Sequence, residues 1–303
     1  MDINPILLLA ALMVASTPIL LAAIGELVVE RAGVLNLGVE GMMIVGAVCG
    51  YIAGHSSGNP YFGFVGAACA GAVVSLVFAV LTQFLLTNQV ATGLGLTMFG
   101  LGLSSLIGQD AVGSPDLTVA KLSFPILSDI PVLGPILFRH DLMVYLSIAI
   151  VAGVWAFLKY SREGLILRAV GENHEAAHAL GYNVRRVRVL AIVFGGACAG
   201  LAGAYISLVR VPQWIDGITA GAGWIALAIV VFASWKPWRL IAGAYLFGGI
   251  TQLQLNLQGA GVAIPVEYLA MSPYLITILV LVILSADKSS APASLGRSFH
   301  AAR

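Results

Sequence analysis

The 303 residues are 59% hydrophobic and only 10% charged, with 35 glycines, a net charge of +1 and a mean hydropathy of +0.98. That is too little polar surface to cover a water-soluble globule of this size, so a soluble enzyme or binding module is excluded. The chain reads as all-α: one polytopic transmembrane helical bundle over residues 1–303.

In chain order, apolar segments at 6–28, 37–53, 62–86, 90–108, 142–158, 189–209, 221–235, 240–256 and 272–286 predict nine spans, within a range of eight to ten. The first lacks a basic start and runs on without a break, so it is read as a retained span and not as a signal peptide. Between Gly41 and Gln109 there is no Asp, Glu, Lys or Arg, and only the turn-like His55–Pro60 interrupts the apolar run. At about 20 residues per span, this stretch alone holds about three.

Gly46, Gly50 and Gly54 recur every fourth residue, as do Gly196 and Gly200, a spacing that strips one helix face to backbone and lets a neighbour approach. The Gly93/Gly95 and Gly100/Gly102 pairs lack the Lys-Ser/Thr of a phosphate loop and read as packing. Cys49, Cys69 and Cys198 lie in apolar segments without metal-ligand spacing, and read as small core residues.

Polar groups inside apolar segments are costly unless they face a partner helix or a water-filled path. Glu40 opens the second segment with Asn36 one turn earlier. This pair either borders a path, pins a broken helix or bonds a neighbouring helix. Gln83, Asn88, Gln89, Thr92 and Thr97 form a second polar string, and Thr251, Gln252, Gln254, Asn256 and Gln258 a third. Amides donate and accept, which suits a neutral solute bearing hydroxyls or a base. Interhelical bonding is the alternative for each one taken singly. The expected substrate path comprises Asn36, Glu40, Gln83, Asn88, Gln89, Thr92, Thr97, Gln252 and Asn256. Glu40 stands almost alone as an ionisable group, and no charged pocket suited to an amino acid's carboxylate and ammonium is visible.

Residues 161–188 concentrate Arg162, Glu163, Arg168, Glu172, Glu175, Arg185, Arg186 and Arg188 between two apolar spans. Within them Asn173 is placed to cap a short helix, Glu175 lies in its first turn, and Gly181 ends it. Ala176, Ala177 and Leu180 share one face. So short a helix is marginal in water, which makes it a docking element that gains order against another subunit. His174 and His178 lack a third ligand nearby, so no metal is expected and a solvated face is the reading. Placing this segment in the cytoplasm puts twelve of the fifteen Lys and Arg inside and leaves Lys121, Arg139 and Arg210 outside. The amino terminus is then outside, 110–141 is an external loop, and 287–303 is a flexible cytoplasmic tail.

These residues bring a family into view. Gly25, Glu26, Glu30, Arg31, Gly33, Asn36, Gly38, Glu40 and Gly41, followed by Arg168, Gly171, Glu172, Asn173, Glu175, Ala177, Leu180 and Gly181, resemble the permease subunits of ABC importers. Gly221, Gly223, Trp224 and Ala226, then Ser272, Pro273 and Tyr274, extend the match over nearly the whole chain. It is similar to the branched-chain amino acid, ribose and nucleoside group, nearest the nucleoside or simple-sugar permeases. The resemblance implies a multi-pass protein of a bacterial inner membrane and a heteromeric importer. Its partners would be a second permease subunit, often a non-identical paralogue, two ATPase subunits that bind ATP and Mg, and an external solute-binding protein or lipoprotein. No nucleic acid is implied, and the chain would hold no cofactor or catalytic residue of its own. Arg168, Gly171, Glu172, Asn173, Glu175, Ala176, Ala177, Leu180 and Gly181 would form the coupling helix. One departure is Ser234-Trp235-Lys236-Pro237-Trp238, where a glycine-led turn is expected before the proline.

The substrate is expected to be a nucleoside, then a ribose-like sugar, then a branched-chain amino acid. A secondary transporter or channel is the alternative of another class, but it would want paired ionisable groups at the membrane midplane. An intramembrane enzyme would want clustered carboxylates or histidines at one depth.

Overall fold

The computed structural model describes residues 5–111, 117–123, 125, 127–260, 265–284 and 291–300. Among these no strand forms, and a lone antiparallel bridge joins Lys121 to Asp141. The helices are α1 (Pro5–Arg31), α2 (Val39–Ser57), α3 (Pro60–Ala79), α4 (Gln89–Gly108), α5 (Leu133–Leu137), α6 (Leu142–Tyr160), α7 (Arg162–Glu172), α8 (His174–Ala179), α9 (Val184–Tyr205), α10 (Ala222–Phe232), α11 (Pro237–Gly259) and α12 (Val266–Leu284). One turn of wider π-type helix, Val80–Phe84 and Ile206–Arg210, closes α3 and α9 respectively.

Among the described residues, five helical stretches are long and apolar enough to cross a membrane: Pro5–Arg31, Pro60–Phe84, Gln89–Ala111, Leu142–Tyr160 and Val184–Arg210. The remaining expected spans, 37–53, 221–235, 240–256 and 272–286, each contain a helix, with 285 and 286 outside the described residues. The 221–235 expectation needs correction. Its helix has 11 residues, about 17 Å at 1.5 Å per residue, roughly half the hydrocarbon thickness.

The core is built on α1 and α9. From Ala15 to Glu30 every residue of α1 is buried, because α9, α11 and α10 surround it. α2 and α3 pack against α9, and the reason lies in the glycines. A Cβ added to Gly46 would overlap the Gly200 backbone, and one added to Gly71 would overlap the Gly196 carbonyl. Backbone meets backbone across this interface, as the four-residue glycine spacing predicts. By contrast Cys69, expected in a core, is exposed on α3, while Cys198 is buried and Cys49 half-buried.

At one end of the bundle, Asp141 caps α6 by accepting from the Met143 and Val144 amides, and its Oδ2 accepts a hydrogen bond from the Tyr205 hydroxyl at 2.8 Å. Part of the expected 110–141 loop, residues 112–116, 124 and 126, lies outside the described residues. α7 and α8 lie where the chain passes from α6 to α9. Residues 291–300, expected as flexible tail, are instead folded against α7–α8, with Phe299 and Ser294 each 4% exposed. Apolar burial of Phe299 beside Val170, Ala177 and Val184 is the physical reason. Residues 287–290 and 301–303 of that tail lie outside the described residues.

Candidate functional site

Glu40 sits in the first turn of α2, 4% exposed, facing the start of α10. Its Oε1 accepts from the Thr219 hydroxyl (2.6 Å) and the Gly221 amide (2.9 Å), and its Oε2 from the Gly223 amide (2.6 Å). These amides belong to the unsatisfied donors of a helix start, where a negative charge also complements the dipole. Gly223 has no side chain because Glu40's own backbone occupies that space, 2.7 Å from a Cβ position. A buried carboxylate is costly unless fully bonded, and three donors meet that requirement. Glu40 therefore holds the head of a half-length helix against α2.

The segment 211–221 that leads into α10 is irregular backbone. Irregular backbone at membrane depth persists only where protein buries it or where it lines a cavity. Here Ile218, Thr219 and Ala220 line a cavity of about 690 Å³ whose other walls come from α1 (Leu7 to Ala15), the end of α9 and Gln252 and Leu255 of α11. Lys121, Arg139, His140, Asp141 and Arg210 also line it. The sequence shows no charged pocket suited to an amino acid's carboxylate and ammonium; the fold does gather the three cations assigned outside around one cavity. The Asp141 carboxylate in its wall is already engaged by two amides and a phenol.

The nine expected path residues separate into three places. Asn36, Glu40, Gln89 and Thr97 converge on the turn between α1 and α2. Gln89 Oε1 accepts from the Leu35 amide (2.8 Å), and the Thr97 hydroxyl donates to the Leu37 carbonyl (3.1 Å). Asn36 does not share a helix face with Glu40, because α2 begins only at Val39. Its amides face Glu26 instead, with Asn36 N to Glu26 Oε1 at 3.2 Å, and its own Oδ1 accepts from Gly38 N at 3.0 Å. Gln83, Asn88 and Thr92 bond locally: Gln83 to Thr82, Asn88 as the cap of α4, and Thr92 to Thr87. Gln252 lines the large cavity, and Asn256 donates to the Gln252 carbonyl at 2.8 Å.

Two carboxylates that the sequence reading placed only in the family motif, and not among the buried polar groups, belong with Glu40. Glu26 and Glu30, each 1% exposed, lie one turn apart on α1, so Glu40 is not nearly alone as a buried ionisable group. Glu26 is engaged by Asn36, and Glu30 accepts from the Trp235 indole. Neighbouring Arg31 donates from Nε and Nη2 to the Trp235 carbonyl (3.2 and 2.9 Å). The signal was available, since carboxylates at i and i+4 in an apolar helix are as costly as Glu40.

At α7–α8, Asn173 Oδ1 accepts from the Ala176 amide (3.0 Å), and the chain turns out at Gly181 with φ +87°. Glu172, Glu175, Ala176, Leu180 and Gly181 are exposed, and Leu180 is 76% exposed. Gly171 and Ala177 are buried inward, and Arg168 is half-buried. His174 departs from the expected solvated face: it is 8% exposed, and its Nδ1 meets Arg188 Nη2 at 3.3 Å. Burial, with Arg188 and Arg297 nearby, pushes its pKa below the usual imidazole value against a smaller opposing effect of Glu175. Among the described residues no cluster of three metal-ligating side chains occurs.

Residues 8–284 match the family described as branched-chain amino acid transport system / permease component. TsgC13 of Haloferax volcanii, a protein named for glucose ABC transport, is 45% identical over 85% of this chain and 79% of its own length. The guanosine ABC transporter permease protein NupQ of Bacillus subtilis is 33% identical over 93% of each chain. The nucleoside ABC transporter permease protein NupC of Lactococcus lactis is 32% identical over 97% of this chain and 96% of its own. No solved structure matches. A helical bundle with several apolar spans, matched along nearly its full length to these proteins, belongs to the branched-chain amino acid transport system / permease component family and is a membrane-spanning permease subunit of an ABC transporter.

Proposed function

We propose that this chain forms the translocation path of an ABC importer for a neutral, hydroxyl-bearing solute, a nucleoside first. The observation that carries the reading is the irregular 211–221 segment, which is held by Glu40 on one side and lines the 690 Å³ cavity on the other. A helix interrupted beside a cavity is a common arrangement for a transported solute. Gln252 and Thr219, with Arg210, supply donors and acceptors for hydroxyl and keto oxygens. The 45% identity to a protein named for glucose supports a simple sugar as the second reading.

The exposed face of α8, with Glu172, Glu175, Ala176, Leu180 and Gly181, is the surface on which an ATP- and Mg-binding ATPase subunit would act. A second permease, as a non-identical paralogue, would complete the path, and an external binding protein or lipoprotein would deliver solute. The amino terminus faces out and α8 faces the cytoplasm, as the distribution of Lys and Arg supports. ATP binding then biases an equilibrium between outward-open and inward-open states through α8.

Uptake of labelled guanosine into vesicles holding the full complex tests the substrate, with uridine, glucose, ribose and leucine as competitors. Competition by nucleosides at the lowest concentration supports the reading, and saturable uptake of leucine alone overturns it. Ala176→Trp and Leu180→Asp, both on exposed positions, are expected to lose the ATPase from the detergent-extracted complex while the permease stays folded. Retention of the ATPase by both variants overturns the coupling role of α8.

A further inference from the structure

α8 has six residues, too few to hold a helical turn alone in water, so contacts from the rest of this chain must support it. The break between α7 and α8 leaves the last carbonyls of one helix and the first amides of the next without intrahelical partners. Ser294 fills that gap from the far end of the chain. Its amide donates to the Gly171 carbonyl (2.9 Å), its hydroxyl to the Glu172 carbonyl (3.2 Å), and its Oγ accepts from the His174 amide (3.4 Å).

Five residues on, Phe299 lies 4% exposed against Val170, Ala177 and Val184, with its ring edge-on to His174 and His178 at 5.5 and 5.2 Å between centroids. Arg188 of α9 has no exposed surface. It donates Nε to the Ala32 carbonyl (3.2 Å), Nη1 to the Arg297 carbonyl (2.9 Å) and Nη2 to His174 Nδ1 (3.3 Å). Its planar fork reaches three separate segments at once. Those segments also touch directly, because Gly33 and Gly171 lack side chains. A Cβ on Gly171 would overlap the Arg31 carbonyl, and one on Gly33 would lie 3.3 Å from both Gly171 Cα and the Ser294 carbonyl oxygen.

We infer that residues 291–300 are a clasp that belongs to the coupling surface and joins α7–α8 to the α1–α2 turn as one rigid lever. The inference rests on the coupling role proposed above for α8. The clasp covers the inner face of α8 and leaves its outer face to a soluble partner. Phe299 further walls a hollow of about 340 Å³ with His178, Gly181, Tyr182 and Arg185, so the partner meets the clasp as well as the helix. A push on α8 then reaches the head of α2, and with it Glu40, through the turn at 31–38. Without the clasp the push is absorbed by local melting of α8. Ser294, Phe299 and Arg188 are positioning residues in this scheme.

The test uses the full complex in vesicles and compares the native chain with a chain truncated after residue 290, with Phe299→Ala and with Phe299→Leu. Two quantities are read: hydrogen exchange at the amides of 173–181, and solute imported per ATP hydrolysed. Truncation and Phe299→Ala are expected to speed exchange there at least tenfold while α2 and α3 stay protected, and to lower the import-to-hydrolysis ratio at least fivefold. Phe299→Leu, which refills the hollow space with apolar volume, is expected to restore most of both. Unchanged exchange at α8, or an unchanged ratio, in the truncated chain overturns the inference. Failure of the α8 reading itself shows separately, as ATPase retention by Ala176→Trp and Leu180→Asp.

Discussion

Glu40 shows how one charged atom pair can organise two helix starts. Replacing it with Gln keeps the shape but turns an amino group toward a donor, so the bond to Gly223 is lost and replaced by a repulsive contact. Hydrogen bonds to a charged acceptor contribute about 1.5–3 kcal/mol each, so Glu40→Gln is expected to loosen the head of α10. Uptake should fall at least tenfold with the ATPase still bound, whereas Thr219→Val, which removes one of three donors, should fall less. Equal uptake in native and Glu40→Gln vesicles would show that the pin is dispensable. His174 makes a pH prediction. It accepts a hydrogen bond from Arg188, so the native fold needs it neutral, and its pKa is lowered chiefly by burial. The unfolded segment therefore binds the proton more readily than the folded one. The contribution to order at α8 is full above the unfolded value, about 6.5, and declines as pH falls below it. Proteolytic nicking within 172–182 is expected to accelerate between pH 7.5 and 5.5, and the acceleration should vanish in His174→Gln.

At the scale of elements, the junction of α10 and α11 places strain where the sequence departs from a glycine-led turn. Ser234 and Trp235 have φ of +49° and +55°, a region that costs residues with a Cβ about 1 kcal/mol or more. The Trp235 side chain and carbonyl are held by Glu30 and Arg31, so the end of α1 keeps the turn in place. Ser234→Gly is then expected to raise stability by about 1 kcal/mol through relief of strain, offset in part by the added freedom of the unfolded chain. Trp235→Phe should lower it by about 1–3 kcal/mol, because Glu30 loses its buried donor. Thermal unfolding in detergent reads both, and a destabilised Ser234→Gly would show that the turn carries no strain. Local elements were largely legible in the residues. The glycine spacing marked α2 and α9 as helices with a face open to close approach, and Asn173 and Gly181 marked the two ends of α8, because caps and small-residue stripes are short-range signals. The clasp was not legible. Ser294 and Phe299 sit in a polar, proline-containing tail, and only the geometry of the distant α7–α8 break gives them partners.

The whole molecule shows why the path was harder to read than the bundle. Hydropathy reports which segments avoid water, so the helical bundle and its family were within reach of the sequence. A cavity is a property of how helices meet, and Lys121, Arg139 and Arg210 come from three separate places in the chain before they share one wall. The amide strings scattered for the same reason: most of their members satisfy nearby backbone, and Gln252 reaches the cavity because α11 packs against α1. The two ends of this molecule carry distinct machinery, a cavity bounded by 211–221 at one and the clasped α8 at the other. If the first faces out, a membrane-impermeant maleimide added to intact right-side-out vesicles will label an Ala220→Cys variant, in a background with Cys49, Cys69 and Cys198 replaced by alanine. Saturating solute should slow that labelling several-fold. Glu175→Cys, on exposed α8, should react only after the vesicles are opened. The reverse pattern would invert the orientation, and labelling at Ala220→Cys that solute leaves untouched would move the path away from the broken helix.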